Sequence, residues 1–404
     1  GFYSATDADS LTSDGHREEG AFFVWNLEQL TKTLGAEDGA LAASVDGATK
    51  GGNWEGNTIL NLPRSIGEAS TEIGVAETEV RQRLVGVRDR LLAARAVRSP
   101  PLRDDKMLAA WNGMMLSAYA RAAAVLGEGY QPRPPVRGGG VDFTAMATAS
   151  ARFITTKLVE GGKLRRTYKD GRAYGEAYAE DYAFVIAGLI ELFEAGGDPV
   201  WLEHAIALQA QLETHYSAEN GAFYKTASFA EKLLTREIPD RDGAIPSANS
   251  VAALNLLRLY QLTSKPAYLA RADKLLVAFS KTLAEQPASL AEMMIAVDYR
   301  DDTPKQVVLT GTAAAGFGPL MATLRATYLP SSVVVRKSAA APAERLGKVV
   351  GLSAEKEALD GAPTAYVCEE SRCELPTSDP KTFARQLGKT KRFKSAAPAP
   401  GDQK

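Results

Sequence analysis

Apolar positions recur with helical spacing through roughly the first 300 residues, and a period-two alternation is almost absent there. Met107 to Ala120 carries no charged side chain, and Leu108, Trp111, Met115 and Leu116 fall around the whole circumference of the helix this predicts. A helix that is apolar all round is enclosed by protein. Asp181 to Ala195 is similar, with Tyr182, Ile186, Leu189, Ile190 and Phe193 on one face and Val185, Gly188 and Leu192 on another. Glu77 to Arg98 and Trp201 to Tyr216 instead keep their charges to one side, as outer helices do. Ser247 to Leu262 and Lys265 to Leu283 repeat the pairing, the first mostly apolar and the second striped.

The buried helices begin near residues 107, 181 and 249, a repeat of about 70 residues. Gly1-Phe2-Tyr3, Gly162-Lys163-Leu164 and Gly221-Ala222-Phe223-Tyr224 stand at matching places, each leading into a long polar loop. Inner and outer helices in such alternation are what a solenoid or a closed toroid requires, and if the pattern closes it predicts a mainly α fold, an (α/α)6 six-hairpin toroid over residues 1–300. About nine helices are visible where about twelve would close the ring. Gly1 falls where a loop after an outer helix begins, so the toroid is expected to be N-terminally incomplete.

Past residue 300 the pattern changes. Gln306 to Thr310 and Ser332 to Arg336 are β-branched runs flanking a helical Pro319 to Tyr328; Ala365 to Cys368 is a third strand and Pro380 to Leu387 a helix. A small α/β appendage packed on the toroid is expected over 301–390, with a disordered Pro/Ala-rich tail at 391–404. Val307 to Leu324 is the longest uncharged stretch, but its glycines and Pro319 make it strand, turn and helix rather than a membrane span. Gly127 to Gly140 reads as an inserted loop.

Composition narrows the function classes. The apolar fraction of 45% supports a large core. Lys plus Arg number 47 against 49 Asp plus Glu, a net charge of -2 that offers no attraction to nucleic acid or an anionic membrane. No signal peptide is visible, and a cytoplasmic location is expected. Three dispersed histidines, His16, His204 and His215, with two cysteines predict neither a metal site nor a cofactor. His204 and His215 are expected to be solvated on an outer helix. Cys368 and Cys373 lack redox-motif spacing and are expected to be a reduced pair.

Six ordered segments carry a specific likeness: GFYSATDADS, EEGAFFVW, DDKMLAAWNGMM, EDYAFVIAGLIELFEA, PSANSVAALNLLRL and TAYVCEESRCELPTSDP. Together they resemble the thioredoxin-domain-containing family typified by spermatogenesis-associated protein 20. The resemblance implies a six-hairpin glycosidase-like region, similar to N-acylglucosamine 2-epimerases, following a thioredoxin-like domain. That domain is absent from this sequence and is expected on a missing N-terminal region or a separate chain. The resemblance supplies a fold more than a reaction.

Inner helices of a toroid bring their N-termini to one mouth, where free N–H groups favour carboxylates. Asp9 and Glu19 flank that mouth as a candidate acid–base pair, because glycoside chemistry uses two carboxylates across the scissile bond. A calcium loop through Asp7, Asp9 and Glu18 is opposed by Leu11 and Thr12 at ligand and turn positions. Asp104 precedes Trp111 and Asn112 and either caps the inner helix or faces the mouth, with Trp111 as a stacking surface. Glu180 and Asp181 open the next buried helix beside Tyr182, one of them with a raised pKa expected. Asn249 after Pro246 and Ser247 either caps or binds a hydroxyl. Trp54, in the Gly51 to Asn57 loop, suits a flexible lid.

The expected activity is therefore carbohydrate binding, or hydrolase- or epimerase-like action on a carbohydrate. Asp9, Glu19, Asp104, Glu180 and Asp181 would be catalytic, and Trp54, Trp111, Asn112, Tyr182 and Asn249 would hold substrate. The rival readings are a non-catalytic scaffold that docks a thioredoxin-like partner and a truncated product without activity of its own.

Overall fold

N-cap side chains hold the starts of six helices in this computed structural model, which describes residues 1–12, 14–127, 130, 140–232, 234–311, 317–338, 343–370 and 372–388. Most of Gly127 to Gly140 and the expected tail at 391–404 lie outside the described residues. The chain divides into two units, Tyr3–Asp105 and Gly1–Phe2 with Lys106–Lys404. The change of sequence pattern near residue 300 does not coincide with that division.

In the Tyr3–Asp105 unit, β1 (Ala5–Thr6), β2 (Asp9–Leu11) and β3 (Arg17–Glu19) precede four helices, α1 (Leu27–Leu34), α2 (Ala36–Val45), α3 (Ile66–Ile73) and α4 (Glu77–Ala96). The unit ends at β4 (Arg103–Asp104), which pairs with β1. Asn26 with Gln29 and Ser65 with Glu68 form reciprocal capping boxes at α1 and α3, satisfying otherwise orphaned N–H groups. Val80, Leu84, Val87 and Leu91 line the buried stripe of α4, against two small apolar clusters that include Leu30 and Trp25 in one and Leu41 and Ala69 in the other. Arg83 and Arg90 both reach Asp38 of α2.

The larger unit opens with β5 (Met107–Leu108), then α5 (Ala109–Leu126) and α6 (Phe143–Phe153). The polar stretch after Gly162, a loop by composition, is instead a set of short strands: β6 (Val159–Glu160), β7 (Lys163–Lys169) and β8 (Arg172–Glu176). Asp170 and Gly171 both have positive φ at its tip, the backbone that tight two-residue hairpins require. Then follow α7 (Ala179–Gly196), α8 (Pro199–Tyr216), α9 (Ala248–Thr263), α10 (Pro266–Ala278), α11 (Ser280–Glu285) and α12 (Ala291–Asp301). The inner row runs α5, α7, α9, α12, each packed on the next, and α6, α8 and α10 lie outside α5, α7 and α9. These are the helical hairpins of an (α/α) toroid, and among the described residues they do not close into a barrel. Nearly every side chain of α7 is buried, which accounts for its lack of a polar stripe.

The C-terminal part follows the expected strand–helix–strand order. β9 (Lys305–Gly311) and β10 (Ser332–Ser338) are parallel, joined through α13 (Gly318–Arg325). After α14 (Ala343–Val349), β11 (Thr364–Glu369) adds antiparallel to β9, β12 (Arg372–Cys373) closes the edge, and α15 (Pro380–Leu387) follows. Val308, Val333 and Val335 join the helical core, while Val307, Leu309 and Val367 face Leu320, Met321 and Phe383. A sheet covered on both faces needs continuous apolar strands rather than alternating ones. Cys368 and Cys373, expected to be reduced, are cross-strand partners joined by a disulfide, because the turn between β11 and β12 sets them directly opposite each other.

Candidate functional site

Two of the residues expected at a site face each other in the Tyr3–Asp105 unit, and a third stands near the end of their hairpin. The pairing of β2 with β3 sets Asp9 directly opposite Glu19. Antiparallel partners share a face, with Cβ atoms ~5 Å apart, and like charges so placed oppose the pairing. Asp9 is half-buried and Glu19 exposed. Among the described residues neither carboxylate accepts a hydrogen bond or forms an ion pair, whereas the neighbouring Asp7 lies 3.5 Å from Arg17. The strand then turns at Gly20, where φ is +74° and an added Cβ would stand 3.6 Å from Trp54 Nε1. The indole is thus beside the end of the carboxylate-bearing strand, and its N–H is buried without a hydrogen-bond partner.

The loop that carries Trp54 is a closed turn rather than a lid. The amides of Asn53 and Trp54 both donate to the Asn57 carbonyl, and the Asn53 side chain clasps the backbone of Ile59 from both sides. Gly52 is required there: a Cβ would come within 2.0 Å of the Asn57 oxygen. Asp104 is half-buried on β4 opposite Ala5. It does not cap the inner helix α5, whose N-cap is Leu108 without a side-chain bond.

That cap comes from Asp181, in the larger unit. Asp181 Oδ1 accepts from the Ala110 amide at 2.9 Å, and Oδ2 accepts from the Tyr178 amide at 2.8 Å and from Arg166 at 3.0 Å. One carboxylate therefore serves the first turns of two adjacent inner helices. It has no solvent exposure. Burial pushes its pKa up to about 6, against the lowering effects of Arg166 and the two backbone donors. Glu180 remains partly open, held 3.0 Å from the same guanidinium, which also lies over the Tyr178 ring.

Asn112, Asn249 and Tyr182, expected to hold substrate, are instead turned into the fold. The Asn112 amide accepts from Phe2 N at 2.7 Å and donates to Phe2 O at 3.1 Å and Leu108 O at 2.9 Å. Asn249 does the same to Phe223 N and O, and to Pro239 O. Each asparagine in the first turn of an inner helix thus clasps the phenylalanine of a Gly-(Ala)-Phe-Tyr loop, a structural form of the sequence repeat. Tyr182 is buried against Tyr216, its hydroxyl accepting from Leu164 N at 3.0 Å. Trp111 is 44% exposed and available for stacking. His204 and His215 are half-buried rather than solvated, against Trp201 and Phe229 respectively.

The residues that sequence reasoning passed over are charged groups, one on a strand and three inside apolar helices. Arg166 sits on an unexpected strand. Glu191 and Glu194 interrupt the apolar α7, and Arg258 interrupts α9; Arg258 pairs with both at 3.2 and 3.1 Å. A lone charge within an otherwise apolar run is the signal that marks them.

Spermatogenesis-associated protein 20 from Homo sapiens is 33% identical to this chain over 420 residues, covering 96% of the chain and 52% of the relative. Its Rattus norvegicus counterpart is 31% identical with the same coverage. Over nearly its whole length the chain is similar to the family typified by spermatogenesis-associated protein 20. It spans about half the length of these curated relatives. No protein-family model matches the chain. Among solved structures, cellobiose 2-epimerase from Spirochaeta thermophila is 16% identical over 44% of each chain with a TM-score of 0.34, a likeness too slight to carry a functional assignment. Within the family portion, the ordered segments from GFYSATDADS to TAYVCEESRCELPTSDP include the Asp9–Glu19 pair and the Asp181 clamp alike.

Proposed function

We propose that this chain binds carbohydrate through the paired carboxylates Asp9 and Glu19 with the Trp54 indole. The observation that carries the reading is a like-charge pair held in register with no Lys or Arg paired to either member among the described residues, beside a buried N–H lacking an acceptor. Sugar hydroxyls would donate to the two carboxylates, and a ring or glycosidic oxygen would accept from Trp54. Binding is better supported than turnover, because the acid with a strongly raised pKa, Asp181, has both oxygens engaged by the fold.

Calorimetric titration of the full chain with a panel of mono- and disaccharides tests this. Wild type is expected to bind a member of the panel, and Glu19→Gln and Asp9→Asn to weaken that binding by about tenfold each, the loss of one charge-assisted hydrogen bond. Melting temperature is expected to hold or rise slightly in both, since each removes a like-charge contact worth a few tenths of a kcal/mol. No heat with any saccharide, or binding unaffected by both substitutions, would overturn the proposal. Hydrolysis or epimerisation by the same carboxylates is read from reducing-end release or anomeric NMR signals in those titrations.

A second reading, a non-catalytic scaffold docking a thioredoxin-like partner, draws support from the internal engagement of Asp181, Asn112, Asn249 and Tyr182. It predicts an inert response to the whole saccharide panel.

A further inference from the structure

The inner helices α5, α7, α9 and α12 surround a cavity of about 450 Å³, bounded on another side by Leu329, Pro330 and Ser332 ahead of β10. Its polar wall is built from Arg121, Glu191, Glu194, Arg258, Glu292 and Tyr299. The guanidinium donors are largely taken: Arg121 and Arg258 converge on Oε1 of Glu191, at 2.6 and 3.2 Å, and Arg258 also holds Glu194. What remains open is a set of acceptors. Oε2 of Glu191, a residue only 6% exposed, is buried without a partner. The carboxylate of Glu292 forms no ion pair or hydrogen bond among the described residues. The Tyr299 hydroxyl, on a residue 4% exposed, is also buried and unpartnered.

An unsatisfied buried polar atom costs on the order of 1–3 kcal/mol, more when it is charged, so the two here, Glu191 Oε2 and the Tyr299 hydroxyl, beside the half-buried carboxylate of Glu292, call for an occupant. The charges say which kind. Two arginines face three glutamates, leaving one formal negative charge in excess. Burial raises the pKa of both Glu194 and Glu292, the former against Arg258 and the latter against Arg121. Both groups would be relieved by a nearby cation. Arg121, Glu191, Glu194 and Arg258 all lie in the C-terminal halves of α5, α7 and α9, the ends at which a helix dipole favours positive charge. The rest of the wall is apolar, including Ala124, Leu254, Ile295 and Leu329, and offers no exposed aromatic face for a pyranose ring.

We infer that this cavity binds a small organic cation, an alkylammonium whose N–H groups donate to Glu191 Oε2 and Glu292 while its carbon body lies against Leu254, Ile295 and Leu329. The site is separate from the Asp9–Glu19 pair and stands or falls without it. Tyr299 would supply an oxygen acceptor to the third N–H.

Titration calorimetry of the full chain with n-hexylammonium chloride, n-hexanol and sodium hexanoate tests the assignment. Hexylammonium is expected to bind at least about tenfold more tightly than the isosteric alcohol, and hexanoate not at all, since only the ammonium brings a charged donor to Glu191 Oε2 and Glu292. Glu292→Gln removes one of these without disturbing an ion pair, and is expected to weaken hexylammonium binding about tenfold at unchanged melting temperature. Tyr299→Phe should weaken it less. Glu191→Gln would strip two arginines of a partner, so a failure to fold there is immaterial to the test. No hexylammonium binding, equal affinity for hexanol, or an undiminished affinity in Glu292→Gln would each overturn the inference.

Discussion

Asp181 shows how far a single side chain can be removed from the role its position suggests. Adjacent acids at the start of a buried helix read as catalytic candidates, and the raised pKa is present. The sequence does not reveal that Arg166, fifteen positions earlier on a strand hidden in a polar stretch, turns back onto the carboxylate, or that the Ala110 amide donates to its other oxygen. Such contacts depend on chain paths rather than on local pattern. The consequence is a stability linkage. The folded-state pKa of about 6 lies above the ordinary 3.8, so between those values the native state holds a proton that the unfolded chain gives up. The contribution of protonated Asp181 is complete below about pH 4 and is lost as pH rises through 6, an effect on the order of 2–3 kcal/mol for the full shift. Melting temperatures of wild type and Asp181→Asn, compared at pH 4.5 and 7.5, should therefore show wild type relatively better off at the lower pH. A gap that stays constant, or that moves in wild type's favour at the higher pH, would mean burial does not control this group.

The helices themselves were the most legible part of the chain, and the reason is packing. α5 and α7 lack charge along most of their length because they touch each other closely, and their glycines set the distance. A Cβ on Gly113 would stand 2.7 Å from the Phe184 carbonyl carbon, and one on Gly188 would stand 2.8 Å from the Gly113 oxygen. Backbone cannot swing aside as a side chain does. Gly188→Ala is therefore expected to destabilise by about 2 kcal/mol, overpacking outweighing the gain in helix propensity. Gly86, in the middle of α4, meets nothing within 4 Å; Gly86→Ala should stabilise by about 0.5–1 kcal/mol. Urea unfolding of the two variants is expected to move in opposite directions, and movement in the same direction would refute the packing account. The elements that escaped pattern reading were short and paired by register. Lys163 to Glu176 carries an Asp-Gly turn between its strands, but its charged residues on both faces mask the alternation. The Cys368–Cys373 bond could not be chosen over two thiols from spacing alone, because it depends on β12 folding back on β11. Asp104 was misplaced for a different reason: the helix it precedes begins five residues later and borrows its cap from α7.

At the scale of the whole chain, the hydrophobic clusters follow the division at Asp105. The larger unit has one extensive core, running from Leu116 and Phe193 through Leu256 to Val335, with a second cluster beneath α13 and α15. The Tyr3–Asp105 unit has two small clusters that include Trp25, Leu30 and Val87 in one and Leu41, Val80 and Leu84 in the other. Apolar burial is the main opponent of chain entropy, at about 25 cal/mol per Å², and small cores leave little surplus. The smaller unit is thus expected to melt first. Calorimetry should show two overlapping transitions, with the total enthalpy exceeding the van't Hoff enthalpy of either. The glycine variants assign them: Gly188→Ala should lower only the upper transition, and Gly86→Ala should raise only the lower one. A single transition whose two enthalpies agree, shifted as a whole by both substitutions, would show instead that the chain unfolds as one cooperative body despite its separate cores.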